Sequence, residues 1–358
     1  AAADPVEVKI GFLNPITGPI DIYAPAWTDA AEVAIAELNE IYDGDYEFSL
    51  TEADSGCDGT TAASSAQNLI DAGVVGIAGA ACSGATLGAI EVAAAAGVPM
   101  ISYASSSPVI TDYDDDDYLF RLVPSDAQQG QAMASVAYSA GFRNPAVVAM
   151  TNDYGAGMAN AFVNEWYYAM DQYYCGEFTF DADDTDFSNI VWAIHDNACD
   201  SVVLVSYADN GAAFIEEMHR LHLDIPILGG DGIADRNFRY EFSDESLVNG
   251  VMATKPVPYP ESDEKVAFEE AFEEHGGNES NAIYIHEAYD AVMIMGHAAV
   301  LDSDGDLRYE IYNIGDEYQG ASGVHTFMSS GDIVGPGFEV CMFSYDYDDD
   351  YVDFTCPY

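Results

Sequence analysis

Short runs of consecutive apolar residues alternate along this chain with longer stretches in which apolar and small residues recur every three to four positions. Val8–Leu13 is a run of the first kind and ends at Asn14-Pro15, so it predicts a buried strand followed by a turn. Trp27–Ile41 is of the second kind: Ala30, Val33, Ala34, Leu38 and Ile41 share a helical face, and Asp43-Gly44 closes the segment. Phe48–Glu52 predicts a strand, Ala62–Ala72 a helix, Val74–Ala78 a strand, Gly84–Ala96 a helix and Val98–Ser102 a strand. Such repetition with short connections predicts a parallel, doubly wound α/β sheet with right-handed crossovers. A second series follows Val123-Pro124, with strands expected at Ala146–Met150, Glu177–Phe180, Ser201–Ser206 and Pro226–Leu228. Its helices are expected at Ala156–Asp171, Phe187–Asp196, Asn210–His222 and Asp235–Phe242. Gly250–Thr254 reads as a strand running into the stiff Lys255-Pro256-Val257-Pro258. Two helices, Asp263–His275 and Asn281–Leu301, and a β-rich tail from Tyr309 complete the pattern.

The chain has 358 residues, 49% of them hydrophobic, which suits two α/β domains and argues against disorder. Its longest apolar stretches, such as Val92–Met100, fall far short of the roughly 20 residues of a membrane span. The opening Ala1-Ala2-Ala3-Asp4-Pro5 reads as a mature terminus or a spacer behind a removed leader. Charge changes the picture most. Nine Lys+Arg stand against 63 Asp+Glu, a net charge of −54, and only Lys9, Lys255 and Lys265 are lysines. Nothing here could neutralise a phosphate backbone, so a nucleic-acid partner is excluded. Self-repulsion of this size loosens a compact state in dilute salt, whereas a Debye length of about 3 Å at molar salt removes most of the penalty. The composition therefore predicts a protein of salty media.

Six cysteines contain no C-x-x-C pair, which argues against a zinc or thioredoxin-like motif. Taken in order they fall into three couples, Cys57/Cys82, Cys175/Cys199 and Cys341/Cys356, and point to an oxidising, extracellular location. The last couple brackets the acidic stretch Tyr345–Asp350 as two facing positions on a hairpin would. The acidic runs Asp114–Asp117, Asp181–Asp186 and Asp346–Asp350 lie between elements and read as solvated loops. Asp302-Ser303-Asp304-Gly305-Asp306 resembles the start of a calcium loop, but Leu307 sits where such a loop needs Gly and Asn313 where it needs Glu. No metal site is expected.

Catalytic signatures fail in turn. Gly320-Ala321-Ser322-Gly323 is one residue short of G-x-S-x-G, Tyr154-Gly155-Ala156-Gly157 does not continue into a dinucleotide fingerprint, and no Walker loop or H-E-x-x-H occurs. His219 and His222 share a helix face and read as ordinary surface or core residues. A binding signal is legible instead, because ligands of open α/β sheets sit at the carboxyl ends of strands near helix N-termini. After strand Val74–Ala78, Gly79–Thr86 opens a helix whose free amides, with the Ser83 hydroxyl, could seat a carboxylate; Ser83 could equally be a plain N-cap. Ser105-Ser106-Ser107-Pro108 follows a strand and offers hydroxyl and amide donors, or else a polar turn before proline. Asp231, after Ile227-Leu228-Gly229-Gly230, could hold an ammonium or be structural.

These same residues resemble the branched-chain amino-acid-binding proteins of solute-uptake ABC transporters, of type I periplasmic binding protein fold. The likeness runs through Ile10-Gly11, Thr17-Gly18-Pro19 with Tyr23, Cys57/Cys82 with Ser83, Ile101-Ser102, Pro108, Thr111, Asp153–Gly157 and Asp186-Phe187-Ser188. It continues through Ala288–Ala291, Gly320–Gly323 and Phe327, so it covers almost the whole chain. It implies two doubly wound parallel-sheet domains joined by a three-segment hinge, 1–122 with 256–326 and 123–255 with 327–358. It implies a ligand in the interdomain cleft, its carboxylate on Ser83 and Ser106 with backbone groups near Ala104 and Ser105. Ser106 stands where the family usually has threonine, and Asp231 of Gly230-Asp231-Gly232 stands where it has glutamate for the ammonium. Tyr154 and Tyr207 match tyrosines that close over the ligand, and Tyr23 lines its side-chain pocket. The resemblance also implies a Cys57–Cys82 disulfide, a membrane permease as partner, no cofactor, a monomer, and an extracellular, cell-surface or periplasmic place with a lipid anchor as one mode of tethering. Relatives of this fold bind amides, urea or aromatic acids. A sensor module of the same fold is the alternative, and a cleft-carboxylate hydrolase would need a base–nucleophile pair that the sequence does not offer.

Overall fold

The computed structural model describes residues 4–277, 282–303, 305–346, 348 and 351–356. Outside the described residues fall the expected helix start at Asn281, Asp304 of the acidic loop, Asp349 and Asp350 of the last acidic run, and the three opening alanines. Along the chain, β1 (Val6–Asn14), α1 (Ala24–Ile41), β2 (Tyr46–Asp54), α2 (Gly59–Asp71), β3 (Gly76–Gly79), α3 (Ser83–Ala95), β4 (Met100–Ser102) and β5 (Leu119–Arg121) come first. Then come α4 (Asp126–Ser139), β6 (Pro145–Met150), α5 (Asp153–Val163), β7 (Gly176–Phe180), α6 (Ser188–Asp196), β8 (Ser201–Val205), α7 (Ala208–Arg220), β9 (Ile227–Gly229) and β10 (Met252–Pro256). The chain continues with α8 (Asp263–His275), α9 (Ile285–Leu301), α10 (Leu307–Ile314), β11 (Tyr318–Gly320), β12 (Gly323–His325), β13 (Phe338–Asp346) and β14 (Tyr351–Thr355).

Several elements differ from the sequence pattern. No helix was expected before β6, yet α4 is there; Asp235–Phe242 is a 3-10 segment, Arg236–Glu241, in place of an α-helix. The expected β-rich tail begins with α10, of which only Leu307 and Ile311 are buried. The helix expected over Ala156–Asp171 starts earlier and ends at Val163, continuing as a π-helical turn over Asn164–Ala169.

The chain divides into two compact units: Ala1–Ser106, Ile110–Pro124 and Pro258–Gly335 make one, and Ser107–Val109, Ser125–Val257 and Pro336–Tyr358 the other. Residues 327–335, expected with the second lobe, lie with the first. The reason is packing: Phe327 lies 5.1 Å from the Phe120 ring, and Asp332 pairs with Arg121 at 2.6 Å.

In the first unit the five strands run in the order β2-β1-β3-β4-β5, all parallel. In the second, β7-β6-β8-β9-β10 are parallel, and β13 and β14 extend the sheet antiparallel beyond β10. Renumbered from its own first strand, the parallel part of the second sheet has the same order as the first, 2-1-3-4-5, whose switch point lies between the first and third strands. The strands read as apolar runs because both faces are covered: every residue of β6 and β8 is buried. Helices α1 and α9 pack together in the first unit and α2 with α3, while α4 pairs with α5 in the second and α6 with α7.

All three cysteine couples are disulfides, with Cα atoms 5.3, 5.4 and 4.0 Å apart. Cys341 and Cys356 face each other because Met342 pairs with Thr355 across β13 and β14. Cys175 and Cys199 do not join neighbouring strands, since β6 lies between β7 and β8. The bridge reaches past the start of β6, where the Cys175 amide donates to Pro145 O at 2.8 Å and Ala198 turns the chain with φ 54°.

Candidate functional site

The expected ligand residues gather at the same strand ends in both units. In the first, Tyr23 follows β1, Ser83 follows β3, and Ala104, Ser105 and Ser106 follow β4; in the second, Tyr154 follows β6, Tyr207 follows β8 and Asp231 follows β9. In each sheet those three strands are immediate neighbours, so parallel pairing alone brings the loops side by side.

In the first unit, Gly79 ends β3 at φ 133°, where a Cβ would run into the Leu13 carbonyl. The chain then turns through Ala80–Cys82, held by the Cys57 bridge, and enters α3 at Ser83. Ser83 is the first helical residue and not the N-cap; Cys82 has that position, and its side chain makes no capping bond. Helices α2 and α4 differ, α2 being capped by Asp58 and α4 by Ser125. An uncapped first turn presents N–H groups to an anion. The β4 loop is tied to this one: Ser102 Oγ donates to Ala80 O at 2.6 Å, and Thr86 Oγ1 and Ser105 Oγ lie 2.8 Å apart. Ser105 also donates to Ala80 O and Ala81 O, and its amide donates to Ser102 Oγ, so Ser105 braces the loop. Ser83 and Ser106 are buried, and Ala104 is half-buried. Behind the loops the buried Tyr23, Trp27, Tyr103 and Phe12 rings follow one another at 5.3–5.8 Å, and Tyr103 donates to Asn14 Oδ1 at 2.9 Å.

In the second unit, Tyr154 and Tyr207 stack with rings 4.9 Å apart and 6° from parallel. The Tyr154 hydroxyl donates to Asp231 Oδ1 at 2.9 Å and accepts from the Gly232 amide at 2.9 Å. Residue 232 must be glycine for this approach, because a Cβ would lie 2.5 Å from Ser206 O and 2.9 Å from the phenol oxygen. Burial, and then the nearby Asp231 and Asp126 carboxylates, push the Tyr154 phenol well above its ordinary pKa, so it stays a donor. Asp126, on the unexpected α4 and fully buried, is the functional candidate that the sequence pattern did not offer; its signal was Ser125 as an N-cap directly after Pro124. Thr86, Ser102 and Arg121 likewise shape the loops, though none was expected among the ligand-binding residues.

A serine, a histidine and an aspartate do meet elsewhere in the first unit. Ser322 Oγ bonds both Asp290 Oδ2 and, at 2.7 Å, His325 Nε2. The carboxylate therefore engages the serine, whereas a hydrolytic triad needs it behind the histidine. Asp290 also accepts from the Ala321 and Ser322 amides, which makes it the anchor of the β11–β12 turn.

Paired doubly wound units, each with buried polar groups at equivalent strand ends, define a protein built to hold a solute. The chain belongs to the periplasmic binding protein family, which matches residues 7–306. That family consists of solute-binding proteins and not enzymes, and it is extracellular or periplasmic. Among the described residues no helix is long and apolar enough to cross a membrane. The Leu/Ile/Val-binding protein BraC3 of Rhizobium johnstonii is 27% identical over 239 residues, 65% of this chain and 63% of that protein, so the match spans under two thirds of that relative. A leucine-binding protein of Thermotoga maritima is similar in structure with a TM-score of 0.84, 24% identity and 97% of each chain covered. A solute-binding protein of R. palustris in complex with 4-hydroxybenzoate has a TM-score of 0.83 at 16% identity, with 97% of this chain and 95% of that one covered. The structural likenesses carry the type I periplasmic binding fold.

Proposed function

We propose that the protein captures a free amino acid with an apolar side chain, branched-chain or similar, and delivers it to the permease of an ABC transporter. The observation that carries this reading is the opposite chemistry of the polar groups that each unit presents at its strand ends. One presents the uncapped start of α3 with the Ser83 hydroxyl and the Ser106 loop, donors suited to a carboxylate. The other presents the buried Asp231 carboxylate, oriented by Tyr154 and suited to an ammonium. An α-amino acid carries both groups, so its two ends match the donor chemistry of one unit and the acid of the other. Tyr23 and its aromatic row supply an apolar wall for the side chain, and Tyr207, stacked on Tyr154, supplies a second. The ligands in the names of the Rhizobium and Thermotoga proteins support the same class.

Calorimetry in high salt with a panel of free amino acids, 4-hydroxybenzoate, urea and short amides tests the reading. Leucine, isoleucine or valine should bind at one per chain. Binding of 4-hydroxybenzoate, urea or an amide with no amino acid bound would overturn the ligand class and leave the family assignment standing.

A further inference from the structure

Arg121 ends β5 with its side chain fully buried, and Ser105, Thr111 and Asp332, which it bonds, all belong to the first unit. Its Nε donates to Asp332 Oδ1 at 2.6 Å, Nη1 to the Ser105 carbonyl at 3.3 Å and Nη2 to Thr111 Oγ1 at 2.8 Å. Thr111 in turn donates to Asp332 Oδ2 at 2.7 Å. The guanidinium therefore grips both flanks of the segment that carries Ser106, at Ser105 before it and Thr111 after it. Asp332 is itself held in place. Its carbonyl accepts from the Met328 amide at 2.8 Å, and the adjoining Gly331 carbonyl accepts from the Arg121 amide at 3.0 Å.

From this geometry we propose that Arg121 is a positioning residue for ligand capture, fixing the Ser105–Thr111 loop so that Ser106 is held ready for the carboxylate. The inference rests on the reading of Ser106 given under Proposed function. A guanidinium suits the task because it is planar, stays charged and presents a fork of donors in fixed directions, which a lysine ammonium does not. With the neutral polar groups Ser105 O and Thr111 Oγ1 on one side and Asp332 on the other, the buried charge is both paired and solvated. Placement of the loop is then set before any ligand arrives, which is what a preorganised site requires.

The test compares wild type with Thr111→Val, Asp332→Asn and Arg121→Lys, by leucine calorimetry and by amide hydrogen exchange without ligand. Thr111→Val removes one grip and leaves the Arg121–Asp332 pair, so it is the variant expected to fold. Expected are a loss of leucine affinity of about tenfold or more and faster exchange confined to residues 105–111. A purely structural role would instead lower the melting temperature and speed exchange throughout the unit, with leucine affinity unchanged in the folded protein. Affinity within twofold of wild type in Thr111→Val and in every other variant that folds overturns the proposal, whether or not exchange changes. Should wild type itself fail to bind leucine, the ligand reading falls, and unchanged exchange at residues 105–111 in Thr111→Val would separately refute the positioning role.

Discussion

At the scale of single residues, Tyr154 orients a neighbouring acid. Its proton fixes one oxygen of Asp231, and its oxygen satisfies the Gly232 amide, so the acid and its backbone neighbour are aimed together. Tyr154→Phe keeps the ring stacked on Tyr207 and removes both bonds. Hydrogen bonds to charged groups are worth about 1.5–3 kcal/mol, so leucine affinity in that variant should fall by about tenfold to a hundredfold, with a lower melting temperature because both bonds are already made without ligand. Equal affinity in calorimetry would contradict that role. The strand-end positions of Ser83 and Asp231 were readable from the apolar runs before them, whereas Tyr154 and Tyr207 were reached only through the family resemblance. Arg121 was not readable: its partner Asp332 lies 211 positions away, and nothing local marks an arginine as buried. Ser83 shows the limit of local reading in another way. Its residue type suggested an N-cap, whereas the backbone places the cap at Cys82.

At the scale of elements, two devices hold turns in place, and each makes a prediction. The Cys341–Cys356 bridge closes β13 onto β14 across 15 positions, a loop for which a disulfide is worth about 3 kcal/mol. The Cys341→Ser/Cys356→Ser double variant should lose about that much in denaturant melts, and an unchanged midpoint would refute the contribution. The β11–β12 turn is held by Asp290, whose carboxyl is pushed up to about 7 mainly by burial, against the pull of its bonds from Ser322 and Ala321. A carboxyl with a raised folded pKa stabilises fully below its unfolded pKa near 4, and that stability is lost as pH rises through about 7. His325 acts oppositely: burial lowers it to about 4, so its contribution is present above about 6.5 and is lost as pH falls. The stability difference between wild type and Asp290→Asn isolates the first effect. It should shift against wild type by a few kcal/mol between pH 4 and 7, each tenfold change in proton affinity being worth about 1.4 kcal/mol. A flat difference would contradict it. Helices with a Leu or Val stripe were legible, but α4 was not. Its buried face is Gln129, Gly130, Met133, Ala134 and Ala137, where Gln129 donates to Thr254 and Gly130 lets α5 approach to within 2.5 Å of where a Cβ would stand. Close packing through small and polar residues leaves almost no hydrophobic period to read. In α10 the pair Leu307 and Ile311 is likewise too sparse, and the tyrosines and isoleucines around it favour strands.

At the scale of the whole molecule, 9 cationic side chains face 63 carboxylates, so pairing cannot neutralise the surface. Ion pairs engage Arg121, Arg220, Arg239, Lys255, Lys265 and Arg308, which leaves most acids to repel one another through solvent. Melting temperature should therefore rise steeply from dilute buffer to molar salt, where the Debye length is about 3 Å; a melt that ignores salt would refute this reading of the charge. The doubly wound architecture was legible because strand–helix alternation dictates it, whereas the assignment of residues 327–335 depended on long-range partners such as Arg121. The central claim is that the protein recognises an amino acid by both of its charged ends. Its most direct measurement is calorimetry, in high salt, of wild type and Asp231→Ala with leucine and with 4-methylpentanoate, which is leucine without its amine. Wild type should prefer leucine, and Asp231→Ala should lose about 2–5 kcal/mol toward leucine, roughly 30-fold to several-thousand-fold, while its affinity for the amine-free acid barely changes. Leucine binding in Asp231→Ala as tight as in wild type, or equal binding of both ligands by wild type, would contradict it.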